Sequence, residues 1–315
     1  MENSTSPRLA FLGPAGSYSH QCAIERFDDS VQYVEQPNIS NVFNAVSADI
    51  PFAVIPQENS VHGTVNETYE SFRSPQAGRS VFVRGELTIA IRHCLVVRDG
   101  IKLEEVERVM SHEQALGQCS HFLSEHLPQA TRMKVPSTSA AARAVLNCGP
   151  GTGEPESAAI CSVPCAESFD GLRILFRDIQ NTATNLTRFL ILANSMDTPL
   201  PGGKLEPRRQ RALVRVSNRL HQGREDEPPF PSRATRMVLS TLLTTFGCPA
   251  LRVDRKPSLN SVPFNDTYFL ELGDLTLPIS PTTEKLHESE WLQRIKAGLD
   301  SVEAAGGEGV ILGLW

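Results

Sequence analysis

Short apolar runs rich in β-branched residues alternate with stretches of helical spacing, a rhythm that predicts parallel βαβ units rather than a sandwich. Strands are expected at Leu9–Leu12, Gln32–Glu35 and Phe52–Ile55, and helices at Ser17–Phe27, Ile39–Ser47 and Thr64–Phe72. A second set follows: a long strand Leu87–Val97, a strand Val106–Met110, a helix Glu113–Leu127, a helix Ser139–Leu146, a strand Ala158–Cys161 and a helix Val163–Phe169. Two small α/β lobes facing each other fit this count. The Gly- and Pro-rich stretch 147–157 predicts a surface loop. Met196–Gln210 carries Pro199, Pro201, Gly202, Gly203 and Pro207, which cannot continue a helix or a central strand and so predict a linker. Beyond it, strands Arg211–Ser217, Ala250–Arg255, Thr267–Leu272 and Gly309–Leu312 with helices Ala234–Phe246 and Ser289–Val302 predict a ferredoxin-like βαββαβ module.

Composition narrows the function classes. The 315 residues are 40% hydrophobic and 21% charged with a formal net charge of −6, long enough for two or three domains. That balance gives no electrostatic reason to expect nucleic acid or a membrane as partner. The first residues lack a basic segment followed by an apolar one, and no run is long enough to span a bilayer, so a cytoplasmic protein is expected. Seven cysteines without C-x-x-C spacing suit reduced thiols better than a disulfide framework or a metal site.

Four polar clusters sit at the ends of apolar runs, where α/β folds gather their site residues. Gly13-Pro14-Ala15-Gly16-Ser17 follows a strand and opens a helix, an arrangement that can seat an anion on unpaired N–H groups, though sterics alone also demand glycine in such turns. It lacks the fingerprints of nucleotide-binding loops. Glu58-Asn59-Ser60 follows the third strand; Asn59 offers donors and an acceptor for orienting a carboxylate or hydroxyl, while Ser60 is equally suited to helix capping. In Ser111-His112-Glu113-Gln114, His112 titrates near neutrality but can also cap a helix, and Gln114 can reach into a cleft. Thr187-Arg188-Phe189 places a hydroxyl beside a guanidinium at a strand entrance. Thr187 can hydrogen-bond a departing oxygen, and Arg188 can pair with a substrate carboxylate or with a neighbouring side chain.

Taken together, Gly13–Ala23, Ala53–Thr68, Ser111–Leu123, Ser137–Ala144 and Asn185–Leu190 make the chain resemble the prephenate dehydratases. The resemblance implies an α/β fold: a bilobal catalytic domain like a type II periplasmic binding protein over residues 1–195, with lobe one at about 7–86 and 182–195 and lobe two at about 87–181. A linker at 196–210 and an ACT-like regulatory domain at 211–315 would follow. It implies a cofactor-free carbon–oxygen lyase that converts prephenate to phenylpyruvate, CO2 and water in L-phenylalanine biosynthesis. Arogenate dehydratase is the sister activity, and a non-catalytic small-molecule sensor is the rival class. Carried over by motif, Thr187, Asn59 and Gln114 are catalytic, and Ser60, Arg188, Phe189, Ser17 and His112 bind substrate. The family's Glu-Ser-Arg-Pro segment is altered here to Asp254-Arg255-Lys256-Pro257, and its Gly-Ala-Leu segment is not recognisable. L-Phenylalanine as allosteric inhibitor and a homodimer or higher homo-oligomer are expected partners. No chorismate mutase-like helical segment precedes Arg8, so a monofunctional chain is expected.

Overall fold

A computed structural model of the chain describes residues 6–149, 151–202, 211–218, 250–259, 266–273 and 284–315. It falls into two compact units, residues 1–45, 53–65 and 87–190 in the first and 46–52, 66–86 and 191–315 in the second. In chain order the elements are β1 Arg8–Leu12, α1 Tyr18–Phe27, β2 Gln32–Gln36, α2 Ile39–Ala45, β3 Phe52–Asn59, β4 Gly63–Thr64, α3 Asn66–Phe72, β5 Phe82–Ala90, β6 Cys94–Arg98, β7 Arg108–Ser111, α4 Glu113–Gln118, α5 Ser120–His126 and β8 Thr131–Lys134. There follow α6 Thr138–Val145, β9 Ser157–Cys161, α7 Val163–Glu167, β10 Leu172–Phe176, β11 Leu186–Ala193, β12 Arg211–Asn218, β13 Ala250–Pro257, β14 Asp266–Gly273, α8 Glu284–Ala304 and β15 Gly307–Leu314.

The first unit holds two sheets. In one, β2, β1, β3 and β11 are successive neighbours, with β1 and β2 parallel. The other is five-stranded in the order β10-β6-β9-β7-β8, and its faces bury Leu95, Val97, Val109 and Ile160 on one side and Val96, Met110, Ala159 and Cys161 on the other. Such double-sided burial is what continuous apolar strands dictate. The six cysteines among the described residues are free and buried, as small hydrophobes. Gly16 has φ +81°, and a Cβ there would lie 3.2 Å from Cys165 Sγ, so the turn before α1 requires glycine for conformation and for space.

Three expected elements differ. The long strand Leu87–Val97 is two strands in different sheets, broken at 91–93, where Ile91 N–H donates to Asn185 O and His93 N–H to Gln180 Oε1. The helix Glu113–Leu127 breaks at Cys119 (φ −112°), leaving Gln118 at the end of its first half. The helix expected from Thr64 starts at Asn66, because Gly63 and Thr64 turn back to pair with β3. Polarity hid the strand β8, all of whose residues are exposed. The helix expected at Ala234–Phe246 lies outside the described residues, as does most of the expected linker.

The second unit contains an antiparallel sheet in the order β13-β14-β12-β15. One face packs Ala212, Val214, Val216, Leu270 and Leu272 against Trp291, Ile295 and Val302 of α8. The strand period of two sends Arg211, Arg215, Ser217, Thr267, Phe269 and Glu271 to the opposite face, where Phe269 meets Tyr69 edge-on at 5.3 Å. Among the described residues, no helix is long and apolar enough to cross a membrane.

Candidate active site

The end of β3 and the start of β11 are neighbours in the first unit, and Asn59 joins them. Its Nδ2 donates to Asn185 Oδ1 at 2.7 Å, Thr187 Oγ1 at 2.9 Å and Leu186 O at 3.2 Å. Its Oδ1 accepts from the N–H groups of Val61 (2.9 Å) and His62 (3.0 Å), an Asx turn that orients the amide. Thr187, only 8% exposed, therefore accepts from Asn59 and keeps its own O–H to donate. Ser60 splices the same two segments: its Oγ accepts from Leu186 N–H at 2.9 Å and donates to Thr184 O at 3.1 Å.

A hydrogen-bonded chain ends at His62, three residues beyond Asn59. Tyr18 O–H and His93 Nδ1 are 2.9 Å apart, His93 Nε2 and Gln118 Oε1 2.7 Å, and Gln118 Nε2 and His62 Nε2 2.9 Å. With Gln118 Oε1 accepting, His93 carries its proton on Nε2 and Gln118 Nε2 donates on to His62 Nε2, while the single Tyr18 proton is shared between Arg92 O at 2.8 Å and His93 Nδ1. The backbone N–H of His62 separately donates to Asn59 Oδ1. The row is neutral. Burial pushes the Tyr18 hydroxyl well above its ordinary pKa, helped by Cys161 and other nearby thiols, and burial lowers His93, with the Gln118 bond opposing. Hydrogen-bonded neutral dipoles polarise one another and suit charge that appears only during reaction.

The expected site residues separate into two groups. Thr187, Asn59 and Ser60 come together as described. Arg188 points to the other face of β11, as strand alternation requires, and its guanidinium lies 2.6 Å from Glu58, so it joins β3 to β11. Phe189 is buried at 2% exposure in the core and offers no surface to a substrate. Ser17 caps α1, its Oγ donating to Leu12 O at 2.7 Å and accepting from His20 N–H. His112 caps α4 through Nδ1, which accepts from the backbone N–H of Gln114, and the exposed Gln114 occupies the first turn of that helix. The anion seat before α1 is internally filled: Ala15 N–H donates to Glu35 Oε2 at 2.9 Å and Gly16 N–H to His20 Nδ1 at 3.1 Å.

Sequence reasoning missed Gln118 and His93. Gln118 lies one helical turn beyond Gln114, where the end of α4 brings it to His62, and Asn181 holds that break by donating to Gln118 O at 2.6 Å. His93, 2% exposed, was hidden in a largely apolar stretch; a histidine between Ala90-Ile91-Arg92 and Cys94-Leu95-Val96 was the available signal.

Comparison with known proteins decides the family. A family profile described as prephenate dehydratase matches residues 9–197, more than half of the chain. The chain belongs to the prephenate dehydratase family. A bifunctional chorismate mutase/prephenate dehydratase of Stutzerimonas stutzeri is 36% identical over 196 residues, 62% of this chain and 50% of that protein. An arogenate dehydratase/prephenate dehydratase of Arabidopsis thaliana is 32% identical over 204 residues, 63% and 49% of the two chains. The chain thus spans about half the length of the curated prephenate dehydratase relatives it matches. Among solved structures, a prephenate dehydratase from Arthrobacter aurescens in complex with L-Phe superposes with a TM-score of 0.72 at 21% identity, covering 96% of this chain and 89% of that one. A structure described as a novel type of quorum-quenching acylase gives 0.70 at 22% identity, covering 97% and 96%. The likeness to these solved structures, at 21% and 22% identity, speaks for the mixed α/β fold alone.

Proposed function

We propose that this chain is a cofactor-free lyase that converts prephenate to phenylpyruvate, CO2 and water, in the cytoplasm and on the route to L-phenylalanine. The observation that carries the reading is the bond from Asn59 Nδ2 to Thr187 Oγ1, which frees the threonine O–H to donate. In the reaction the bond to the ring carboxylate breaks, its electron pair enters the ring, and the bond to the ring hydroxyl breaks with its pair leaving on oxygen. One proton from solvent turns the departing hydroxide into water. Aromatisation supplies the driving force, so the protein need only orient the substrate and stabilise charge growing on that oxygen. Thr187 hydrogen-bonds the leaving oxygen without being consumed as an acid; Asn59 and Ser60 fix it, and Gln118 is the positioning residue added by geometry. An assay for phenylpyruvate tests this, with prephenate and arogenate offered at equal concentration. Phenylpyruvate formation supports the reading, and no turnover of either substrate overturns it in favour of a sensor.

A second substrate is favoured by one observation, the similarity to a plant relative whose name carries both activities. Release of phenylalanine from arogenate in the same competition would assign it.

The finer architecture belongs to the same proposal. The two sheets of the first unit support a bilobal domain of the type II periplasmic-binding-protein kind, and the order β13-β14-β12-β15 with α8 on one face supports an ACT-like regulatory domain. In the segment expected to bind phenylalanine, Asp254 pairs with Arg252, Arg255 lies 3.5 Å from Asp266, Lys256 Nζ donates to Asn66 Oδ1 at 2.6 Å, and Pro257 O accepts from Arg73 at 2.6 Å. Calorimetry with L-phenylalanine tests regulation through these residues, and solution mass tests for a homodimer or larger assembly; heat-silent titration and a monomeric mass would overturn them.

A further inference from the structure

The second unit contains a cavity of about 150 Å³ that the lyase reading does not use. Its floor is the sheet face turned away from α8. Register places Thr267, Ser217 and Glu308 in one cross-strand row over β14, β12 and β15, and Arg215 opposite Val310 in the row beside it. The rim is Arg73, just after α3, and Ser258 with Leu259, just after β13. Three hydroxyls and two guanidiniums thus converge on a space with one carboxylate.

Both guanidiniums are held in place. Arg215 donates to Phe72 O at 2.8 Å and Ser74 O at 2.9 Å; Arg73 donates to Pro257 O and pairs with Glu70. Arg73 Nε is buried and has no hydrogen-bond partner among the described residues. Burial lowers the Arg215 pKa, the Glu308 carboxylate opposes that, and Arg79 adds a smaller lowering. A fixed, partly desolvated cation with hydroxyls beside it gains from an incoming anion, and guanidinium forks match oxyanions bidentately. A cation would meet two like charges, and a neutral apolar ligand would leave the buried Arg73 Nε without a partner.

We propose that this cavity is a binding site for a small oxyanion, the phosphate or carboxylate group of a metabolite. Arg73 and Arg215 supply the charge, Ser217, Ser258 and Thr267 supply orienting hydroxyls, and Glu308 sets a repulsive edge that limits affinity. The inference is independent of the lyase reading, because binding is read without turnover.

The test is calorimetry on the full chain with inorganic phosphate and, separately, malonate at matched ionic strength, alongside thermal melts in which a specific ligand raises Tm saturably. Saturable binding of phosphate alone assigns a phosphate group, and of malonate alone a carboxylate. Arg73→Gln should weaken the bound anion by about tenfold or more, and Glu308→Gln should tighten it by about threefold or more, consistent with removing an attractive and a repulsive charge. The second variant removes a charge without removing a support, so it remains informative if Arg73→Gln fails to fold. No saturable binding of either anion to the native chain, or a Glu308→Gln variant that binds no tighter, overturns the proposal.

Discussion

The Thr187 row of the first unit and the sheet-face cavity of the second are both clusters of hydrogen-bond donors, yet they are built from opposite materials. Around Thr187 the donors are neutral amides, an imidazole and hydroxyls, and the nearest guanidinium in sequence, Arg188, is turned away and held by Glu58. In the cavity the donors are guanidiniums steadied by carbonyl oxygens. The difference teaches which charge each is prepared for. Permanent positive charge stabilises an anion whenever it is present, whereas oriented neutral dipoles favour charge that exists only as a bond breaks. The first arrangement suits catalysis and the second suits retention.

The largest expected effect is at the neutral end. Thr187→Ala should keep the fold yet lower kcat by about 100-fold or more, the loss of about 2.7 to 4 kcal/mol seen when a preorganised donor is removed. Turnover near the native value would break the contrast outright. Gln118→Ala should reduce kcat by about tenfold, because it releases the ring of His62, whose backbone N–H orients Asn59, while Gln114→Ala should leave it within about twofold; steady-state kinetics on both variants separates the two glutamines.

On the charged side, Arg211 Nη1 lies 2.6 Å from Glu271, whose side chain is 1% exposed, and 3.0 Å from Glu86. Arg211→Leu withdraws that charge from a buried carboxylate and should cost about 2 to 3 kcal/mol in chemical denaturation, with kcat of the folded protein unchanged. The smallest effect is a pH dependence. Burial depresses His93 below its ordinary 6.5, so the unfolded chain takes up the proton first as pH falls. Its contribution to stability should be complete above pH 6.5 and decline as pH drops below that value toward the folded pKa. His93→Gln should flatten this part of the stability profile, and an unchanged slope between the two proteins would contradict a neutral His93.

Much of this was legible because short motifs at strand ends carry their position with them. Asn59 and Thr187 lie where apolar runs stop, and their convergence follows once β3 and β11 are neighbours. What could not be read depended on contacts between segments far apart in the chain. His93 looked like one more position in a continuous strand, since the break at 91–93 is made by Asn185 and Gln180, some ninety residues away. Gln118 lay unremarked inside the expected helix Glu113–Leu127, because its position depends on the break at Cys119 and the Asn181 contact. The turn before α1 looked like an open anion seat because nothing local announces that Glu35 and His20 fill it. The motif was right as a shape and silent about its occupant.

Placing Thr187 and Arg188 on consecutive residues of one strand has an evolutionary corollary. A slip of one residue between β11 and β3 would exchange hydroxyl for guanidinium on the reacting side and leave Glu58 facing a threonine. Insertions or deletions just upstream of Asn185 should therefore be tolerated in twos, or absorbed by a bulge, but hardly ever singly. The distance between two neighbouring side chains makes this strand a parity check on its own loop.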